Sequence, residues 1–446
     1  MLEIVRPGDR HYAAVRDVYT ATGRPAAVAR PSSTAEVVEA LRLAREAGGP
    51  LSVRSGGHGI SSIATNAGGT VVDLSRLNAV ERLDGNMVRV GPGARWGDVA
   101  AALHPWGLAI SSGDSGDVGV GGLATTGGIG LMGRAHGLTI DHLVAAELVT
   151  ADGMVRRIDA DHDPELFWAV RGAGANIGIA TSFEFRADPV PVVGHATLQY
   201  RVDDLPRFLR DWGETVESAP RSVSAFLYLM GTEFALATVV YAGDDAELAG
   251  RAFGPFTAVA PVLGQRAQLV PYAGVVAATH APHRGQQGAS THTGLAVHLD
   301  GPVTAGLADL AATGTTDMLQ IRSTGGAVND VPEDATAYAH RHQNFSVTAI
   351  SGAGGPPFDE AWDRVRPSMD GLYLSFETSF SPSLLEAAFP PATLNRLRDI
   401  KRTVDPDGVF NQNFPVGLPS ESSGAEGRGV PHRSGTPASA TASTSV

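Results

Sequence analysis

A run of five residues, Arg54-Ser-Gly-Gly-His58, carries the side chain with the clearest chemical potential in this sequence. Adjacent glycines allow successive backbone N–H groups to form a concave nest, which binds a pyrophosphate without needing a cationic side chain. A neutral imidazole is a competent nucleophile near pH 7, because its ordinary pKa is about 6.5. The backbone from Arg54 to Gly59 is therefore predicted to hold phosphate groups, with His58 available as a nucleophile beside them.

A second segment, residues 111–137, is dense in glycine but interrupted by Val, Leu, Ile and Met. That composition favours close backbone approach to a ligand, or turns with positive φ, over a flexible linker. Gly128-Ile-Gly-Leu-Met-Gly133 also fits the dinucleotide motif G-x-G-x-x-G, with Glu147 and Asp152 near the distance of a ribose-binding acid. A dinucleotide fold needs a strand directly before that motif, and the preceding GGLATTG is not typical of one, so NAD is not assigned.

Two absences exclude several classes of chemistry. The chain has no Cys, which excludes disulfides, thiolate nucleophiles, iron–sulfur clusters and zinc–thiolate sites. Its single lysine, Lys401, lies in DIKRTVDPDG, which has neither a phosphate loop nor the setting of a pyridoxal Schiff base. The pairs His280 with His283 and His340 with His342 stand in no metal-binding frame, so no metal site is predicted.

Length, charge and hydropathy limit the partners. The 446 residues suffice for two or three domains. The net charge of −13 is spread over the chain without a basic cluster, which disfavours nucleic acid and leaves a small-molecule substrate as the expected partner. No stretch approaches the roughly 18 apolar residues of a membrane span, and the first residues contain no secretory apolar core. We therefore expect no membrane partner and a cytoplasmic location.

The segments around these motifs read as alternating helices and strands. A helix is predicted in SSTAEVVEALRLAREAG, from a Ser cap to Gly48, and a short strand then leads into the run at Arg54. Further strands are predicted in TVVDLS and NMVRV, and a helix in WGDVAAALHPWG. After Asp188 the predicted strands are longer, in SAFLYLM and FALATVVYAG, and a helix is predicted in DLPRFLRDWGETVES.

These changes predict four units along the chain. A charged helix, NRLRDIKRTVD, and a turn-rich DPDGVFNQNFP follow the second group of strands. The tail is rich in Ser, Gly, Pro, Ala and Thr, and it cannot bury enough apolar area to fold. The predicted units are a first domain at 23–190, a substrate domain at 195–385, a C-terminal segment at 390–416 that returns to the first domain, and a disordered tail at 417–446.

Four segments together resemble one known family. LSVRSGGHGISSIATNAGGTVVDLSRLN resembles the flavin-binding signature of the vanillyl-alcohol oxidase superfamily, and PELFWAVRGAG with its following Asn-Ile-Gly resembles the end of the same domain. TGGAVNDVPEDATAYAHR and NRLRDIKRTVDPDGVFNQN look like the substrate domain and C-terminal segment of berberine-bridge-like oxidases. The resemblance covers about residues 23 to 416 in the right order. It implies an α+β fold, with a two-part PCMH-type FAD-binding domain and an α/β substrate domain built on an antiparallel sheet.

The resemblance also implies the cofactor and its contacts. FAD would be attached covalently through His58, which matches the family's flavin-linking histidine. Residues 113–118 would lie near the flavin ring, and the glycines and threonine that follow would lie near the phosphates or ribose. The implied FAD-binding residues are Arg54, Ser55, Gly56, Gly57, His58, Gly59, Gly113, Asp114, Ser115, Val118, Gly121, Gly122, Thr125, Gly127, Gly178, Ile179, Asn411 and Asn413.

The chain departs from the family pattern at the second flavin bond. Many berberine-bridge-like members form that bond through a Cys in G-x-C-x-x-V-G-x-G-G, and Ser115 stands at the thiol position here. A single histidyl bond is therefore expected, as in the 6-hydroxy-D-nicotine oxidase-like members.

A second departure leaves the general base unassigned. Bacterial relatives usually have Tyr-Gly ahead of the N-x-x-R-L helix, whereas this chain has Phe389-Pro390. If GLYLSFET is a strand, alternation places Tyr373, Ser375 and Glu377 on one face, so Tyr373 and Glu377 are the first candidates. Further candidates for the base are Tyr338, His340 and Tyr228.

The implied reaction removes a hydride from a C–H bond next to an alcohol oxygen or an amine nitrogen and transfers it to flavin N5. A base accepts the accompanying proton, and dioxygen reoxidises the flavin. Two alternatives stay open: a dehydrogenase that passes electrons to a quinone or a protein, and a non-catalytic flavin-fold protein that only binds a ligand.

Overall fold

A computed structural model describes residues 1–285 and 288–417. Its strands, in chain order, are β1 (Glu3–Val5), β2 (Ala27–Arg30), β3 (Leu51–Arg54), β4 (Thr70–Asp73), β5 (Val80–Arg82), β6 (Met87–Val90), β7 (Leu143–Val149), β8 (Val155–Asp159), β9 (Ile179–Arg186), β10 (Val192–Arg201), β11 (Val223–Leu229), β12 (Phe234–Tyr241), β13 (Val262–Pro271), β14 (Ser290–Ala296), β15 (Met318–Ser323) and β16 (Phe345–Ser351). Its α-helices are α1 (Tyr12–Val15), α2 (Thr34–Ala47), α3 (Trp96–Leu103), α4 (Val120–Leu123), α5 (Gly133–His136), α6 (Pro164–Ala173), α7 (Leu205–Ser218), α8 (Ala246–Phe253), α9 (Tyr272–Val275), α10 (Gly301–Ala312), α11 (Pro356–Val365), α12 (Pro382–Ala388) and α13 (Pro391–Val404).

The first sheet has four strands in the order β1-β2-β4-β3 and lies beneath helix α2. The predicted helix is confirmed: the hydroxyl of Ser33 accepts from the N–H of Glu36, and Gly48 ends the helix at φ +69°. Strands β3 and β4 are parallel, with Arg54 in register with Asp73. The glycine run therefore leaves the sheet at the carboxyl end of β3.

The second sheet is antiparallel, with the strand order β5-β6-β9-β7-β8. Phe183, Phe185 and Leu148 from this sheet share a core with Val170 of α6 and Leu397 of α13. The C-terminal helix therefore packs on the first half of the chain, where Arg396 also lies 4.0 Å from the Trp168 ring centroid.

The third sheet is antiparallel, with the order β13-β10-β12-β11-β15-β16-β14. The predicted strands in SAFLYLM and FALATVVYAG and the predicted helix at α7 are confirmed. Helices α7, α10 and α11 cover one face, where Leu227 and Ile321 lie in the same core as Trp212. Because side chains alternate along a strand, Phe226 points the other way and packs near Ile129 of the glycine-rich segment.

These layers confirm the α+β fold with an antiparallel sheet in the second half. The dinucleotide-like motif at Gly128 follows a helical turn, α4, and three turn residues rather than a strand. Among the helices of residues 1–285 and 288–417, none is long and apolar enough to cross a membrane. The tail predicted as disordered, 417–446, lies outside the described residues except for Gly417.

One predicted strand is wrong. Residues Leu374–Phe376 of GLYLSFET form a 3-10 turn. Tertiary bonds hold this segment against the edge strand β14: Thr378 N–H donates to Thr291 O at 3.1 Å, and Thr291 N–H donates to the Thr378 hydroxyl at 2.9 Å. Side chains of a 3-10 turn do not alternate between two faces as they do in a strand. The reason for expecting Tyr373, Ser375 and Glu377 on one face therefore no longer holds.

Candidate functional site

A cavity of about 420 Å³ lies where the loop after β3, the glycine-rich segment, the C-terminal segment and the third sheet meet. Sixteen of the eighteen residues assigned to FAD by the sequence line it. They are Ser55, Gly56, Gly57, His58, Gly59, Gly113, Asp114, Ser115, Val118, Gly121, Gly122, Thr125, Gly178, Ile179, Asn411 and Asn413. The structure therefore brings together motifs from both ends of the chain.

Two glycine loops form one wall of this cavity by direct backbone contact. A Cβ atom on Gly119 would lie 2.0 Å from the nitrogen of Gly56, and one on Gly56 would lie 2.6 Å from the nitrogen of Gly119. Gly57 has φ +69°, a backbone conformation that is strained for a residue with a side chain. The Ser55 hydroxyl joins the loops by accepting from Gly121 N–H at 3.1 Å. Close packing of the two loops thus explains the density of glycine. The cavity wall that these loops form consists of backbone atoms without side chains.

Arg54 and Gly127 are the two assigned residues that do not line the cavity. The buried guanidinium of Arg54 donates to Asp73 Oδ2 at 2.9 Å, and its positive charge helps to keep the pKa of Asp73 low despite burial. Gly127 has φ +141°, and a Cβ there would lie 3.0 Å from Tyr373 Cε2 and 3.2 Å from Tyr338 Cδ2. Their observed contacts are structural: Arg54 fixes the end of β3, and Gly127 makes room for two tyrosine rings.

The His58 side chain lines the cavity and is half-buried. Its ring stacks on Tyr19, with centroids 4.1 Å apart, and meets the ring of His283 edge-on, with centroids 5.8 Å apart. Burial, helped by the neighbouring His283, lowers the pKa of His58 below its ordinary 6.5. The imidazole is therefore neutral at physiological pH, the form in which a ring nitrogen can act as a nucleophile.

A polar cluster occupies the wall formed by the third sheet. Asp114 Oδ2 accepts from Gln320 Nε2 at 2.8 Å, from the Tyr228 hydroxyl at 3.2 Å and from Arg322 Nε at 3.3 Å. Tyr228 and Gln320 are cross-strand partners on β11 and β15, and Arg322 lies two residues beyond Gln320, so all three share one face. Burial and the Asp114 charge raise the pKa of Tyr228, so its hydroxyl stays protonated and acts as a donor.

The Arg322 guanidinium is held rigidly in this cluster. It lies 4.0 Å from the centroid of the Phe376 ring, and its side chain is 3% exposed. Within residues 1–285 and 288–417, no acceptor lies within hydrogen-bonding distance of its buried Nη1. Arg322 also lines the cavity, so a ligand oxygen at this wall can accept a charged hydrogen bond from the guanidinium.

Tyr373, the first candidate for the base, lines the cavity. Its hydroxyl oxygen accepts from the N–H of Gly128 at 3.0 Å. Ser375 also lines the cavity and donates to the Thr126 hydroxyl at 2.9 Å. Tyr373 is therefore placed where it can contact a ligand, with its oxygen fixed by a backbone donor.

Glu377, the second candidate for the base, is not part of the cavity wall. Its buried carboxylate accepts from His292 Nδ1 at 3.0 Å and from the N–H groups of Ser379 at 2.9 Å and Thr293 at 3.2 Å. The expectation that Glu377 faces the ligand beside Tyr373 is corrected, because the 3-10 turn directs it to strand β14 instead.

The remaining candidates differ in their surroundings. Tyr338 packs edge-on against Tyr373, and His340 Nε2 donates to Ala388 O at 3.0 Å. Neither side chain lines the cavity, whereas the hydroxyl of Tyr228 reaches the cavity residue Asp114.

Among the lining residues that sequence reasoning missed are Tyr19, Gln320 and Arg322. Gln320 and Arg322 alternate with buried apolar residues in MLQIRS, and polar residues on the inner face of a predicted central strand are the signal that could have identified them. Tyr19 lies in an irregular segment without such a pattern.

The chain is similar to known proteins in the sequence of part of its length and in the fold of nearly its whole length. Residues 25–159 match a family model described as FAD binding domain. The (R)-6-hydroxynicotine oxidase of Paenarthrobacter nicotinovorans is 39% identical over 193 residues, a match that covers 42% of this chain and 42% of that protein. The aligned part thus spans less than half of that relative.

The fold is shared along nearly the whole chain with solved structures. A chitooligosaccharide oxidase superposes with a TM-score of 0.84 and 23% identity, covering 94% of this chain and 98% of the other. The glucooligosaccharide oxidase of Acremonium strictum superposes with a TM-score of 0.82 and 22% identity, covering 93% and 97%. The flavin of that oxidase is a 6-S-cysteinyl, 8α-N1-histidyl FAD.

Proposed function

We propose that this chain is an FAD-linked oxidoreductase of the vanillyl-alcohol oxidase superfamily, that it carries FAD on His58 and that it oxidises a small alcohol or amine. The observation that carries the proposal is the joint cavity, which has a glycine backbone wall at one side and a rigid polar wall at the other. The relatives named for a hydroxynicotine and for oligosaccharides support a small organic substrate.

The residues present fit an FAD. Gly56, Gly57 and Gly119 line the cavity without side chains, which suits the close approach of phosphate oxygens to their backbone. His58 supplies one neutral nucleophilic ring, and Ser115 offers a hydroxyl where a second covalent bond would need a thiol. FAD, when bound, supplies the hydride acceptor, and the protein supplies position and proton transfer.

The polar wall is the proposed substrate contact. The Arg322 guanidinium can donate to a substrate oxygen, and Asp114 can accept from a substrate O–H or N–H, since both residues line the cavity. Tyr373 is the proposed base, because it lines the cavity and its oxygen, which is held by Gly128 N–H, can take a proton from the substrate when the phenol is ionised. Dioxygen is the proposed final acceptor, and the cytoplasm is the proposed location.

The covalent bond is tested by His58→Ala, with the exposed His162→Ala as the matched control. After acid precipitation, the wild type and the control should give yellow pellets, whereas His58→Ala should release its flavin into the supernatant. Acid-stable flavin in His58→Ala would refute the assignment. Hydrogen peroxide formed during turnover in air would support dioxygen as the acceptor, and turnover only with an added quinone would favour a dehydrogenase.

A further inference from the structure

Two aromatic side chains from distant segments enclose the ring of His58. Tyr19 stacks on it at 4.1 Å between centroids and 12° between planes. His283 stands edge-on at 5.8 Å and 74°, and the rings of Tyr19 and His283 meet edge-on at 5.9 Å. One face and one edge of the imidazole are therefore in contact with fixed rings.

The same two residues also hold the backbone that leads to His58. The N–H of Tyr19 donates to Gly57 O at 2.9 Å, and His283 Nε2 donates to Gly56 O at 2.8 Å. Gly57 sits at φ +69° between these two anchors. The carbonyl groups of both residues before His58 are thus fixed from outside the glycine loop.

Asp117 fastens the segment that carries His283. Its carboxylate accepts from Arg95 Nη1 at 2.8 Å and from the backbone N–H groups of Thr279 at 3.1 Å and His280 at 2.9 Å. Burial opposes the charge of Asp117, but these hydrogen bonds outweigh it and lower the pKa of Asp117 to about 2. The fastening therefore persists at any pH at which the folded protein is studied.

We propose that Tyr19 and His283 are positioning residues for covalent attachment of the flavin to His58. The inference rests on the proposed function, because it assumes that His58 is the linking residue. Attachment forms a C–N bond between an imidazole nitrogen and the C8 methyl carbon of the flavin. One proton leaves the methyl group, one leaves the imidazole, and the two electrons reduce the flavin, which dioxygen then reoxidises to give hydrogen peroxide.

The physical reason is the cost of orienting a free imidazole. A histidine next to two glycines samples many orientations, and few of them direct a ring nitrogen at one carbon atom. Stacking on Tyr19 and the fixed carbonyls of Gly56 and Gly57 restrict that choice before FAD arrives. Removing such preorganisation slows bond formation while leaving the affinity for the cofactor to the rest of the cavity.

The test follows acid-stable flavin over time when FAD is added to full-length protein produced under riboflavin limitation. Tyr19→Ala and His283→Ala should acquire covalent flavin at least about tenfold more slowly than the wild type, with unchanged affinity for non-covalent FAD. Tyr19→Phe, which keeps the stacked ring, should react at the wild-type rate. His283→Gln, which can still donate to Gly56 O, should recover part of the rate.

The control is His280→Ala, which removes an exposed side chain from the same loop and should react like the wild type. Wild-type rates in both alanine variants would overturn the proposal, and a Tyr19→Phe rate as low as that of Tyr19→Ala would overturn the role of the stacked ring. If an alanine variant does not fold, the rates of Tyr19→Phe and His283→Gln against the wild type decide. A wild type without acid-stable flavin would instead refute the tether itself.

Discussion

The hydroxyl of Tyr373 combines access to the cavity with a backbone donor, a pairing that no other tyrosine of the described residues shares. General-base assistance typically contributes about 10²–10⁴-fold, so Tyr373→Phe should slow anaerobic flavin reduction by at least about tenfold. Stopped-flow absorbance with any alcohol or amine that reduces the wild type measures this rate. Tyr338→Phe, which alters the neighbouring ring outside the cavity, is the matched control. Equal reduction rates in wild type and Tyr373→Phe would move the base elsewhere.

The Arg322 guanidinium in the cavity wall gives a second expectation at this scale. A hydrogen bond to a charged group contributes about 1.5–3 kcal/mol, so Arg322→Met should lower kcat/KM by roughly tenfold to a hundredfold. The covalent flavin should be retained, because Arg322 lies on β15 of the third sheet, whereas His58 lies in the loop after β3. The exposed Arg266→Met serves as the control. A kcat/KM unchanged by Arg322→Met would show that the substrate does not bind this guanidinium.

The predicted residues that line the cavity come mainly from two short glycine-rich segments. The glycines and His58 act through backbone conformation and near neighbours, so their spacing in the chain carries the signal. Gln320 and Arg322 contact Asp114 only because β15 pairs with β11 in one register. A shift by one residue would turn both side chains into the helical core, and no local motif records that choice.

At the scale of elements, the turn after Tyr373 shows why the predicted strand was wrong. The letters alternate as a strand requires, but the segment bonds to the edge of β14 through Thr291 and Thr378 side chains and closes a turn. Tertiary contacts therefore override a weak local pattern. The result is that Glu377 joins His292 and Asp359, which lies on α11, in an ion-paired cluster away from the cavity.

This cluster predicts a pH-dependent stability. Burial opposes protonation of His292, but hydrogen bonds and charges from Glu377 and Asp359 outweigh it and raise the pKa of His292 above 6.5. A raised folded-state pKa means that the stabilisation is fully present below pH 6.5 and is lost as the pH rises through the folded value. His292→Gln should therefore lower the Tm most below pH 6.5 and progressively less above it.

The control for this experiment is His298→Gln, which removes an exposed histidine paired with Glu217. Exposed ion pairs contribute about 0–1 kcal/mol, so this variant should change the Tm little at any pH. A Tm difference for His292→Gln that grows with pH would contradict the sign of the pKa shift.

At the scale of the whole molecule, the cavity depends on the chain returning to its start. The C-terminal segment lines the cavity with Asn411 and Asn413, far along the sequence from the glycine run. Spacing alone does not predict how that segment is anchored. The residue that anchors the segment is Lys401. Its buried Nζ donates to Asp405 Oδ2 at 2.6 Å, Phe410 O at 2.6 Å and Asn176 O at 2.9 Å. The only lysine of the sequence thus joins helix α13, the segment after it and the turn before β9.

Removing Lys401 should therefore loosen the entire C-terminal wall. Breaking a buried ion pair by deleting one partner costs about 3–5 kcal/mol, so Lys401→Met should lower the urea midpoint by a corresponding amount. The flavin of this variant should also become more accessible to solvent, seen as increased quenching of its fluorescence by iodide. Arg402→Met, which breaks only the exposed pair with Asp399 on the same helix, should leave both measurements unchanged. Asp405 also accepts from the N–H groups of Val409 and Phe410. A urea midpoint of Lys401→Met equal to that of the wild type would therefore mean that these two bonds alone hold the segment.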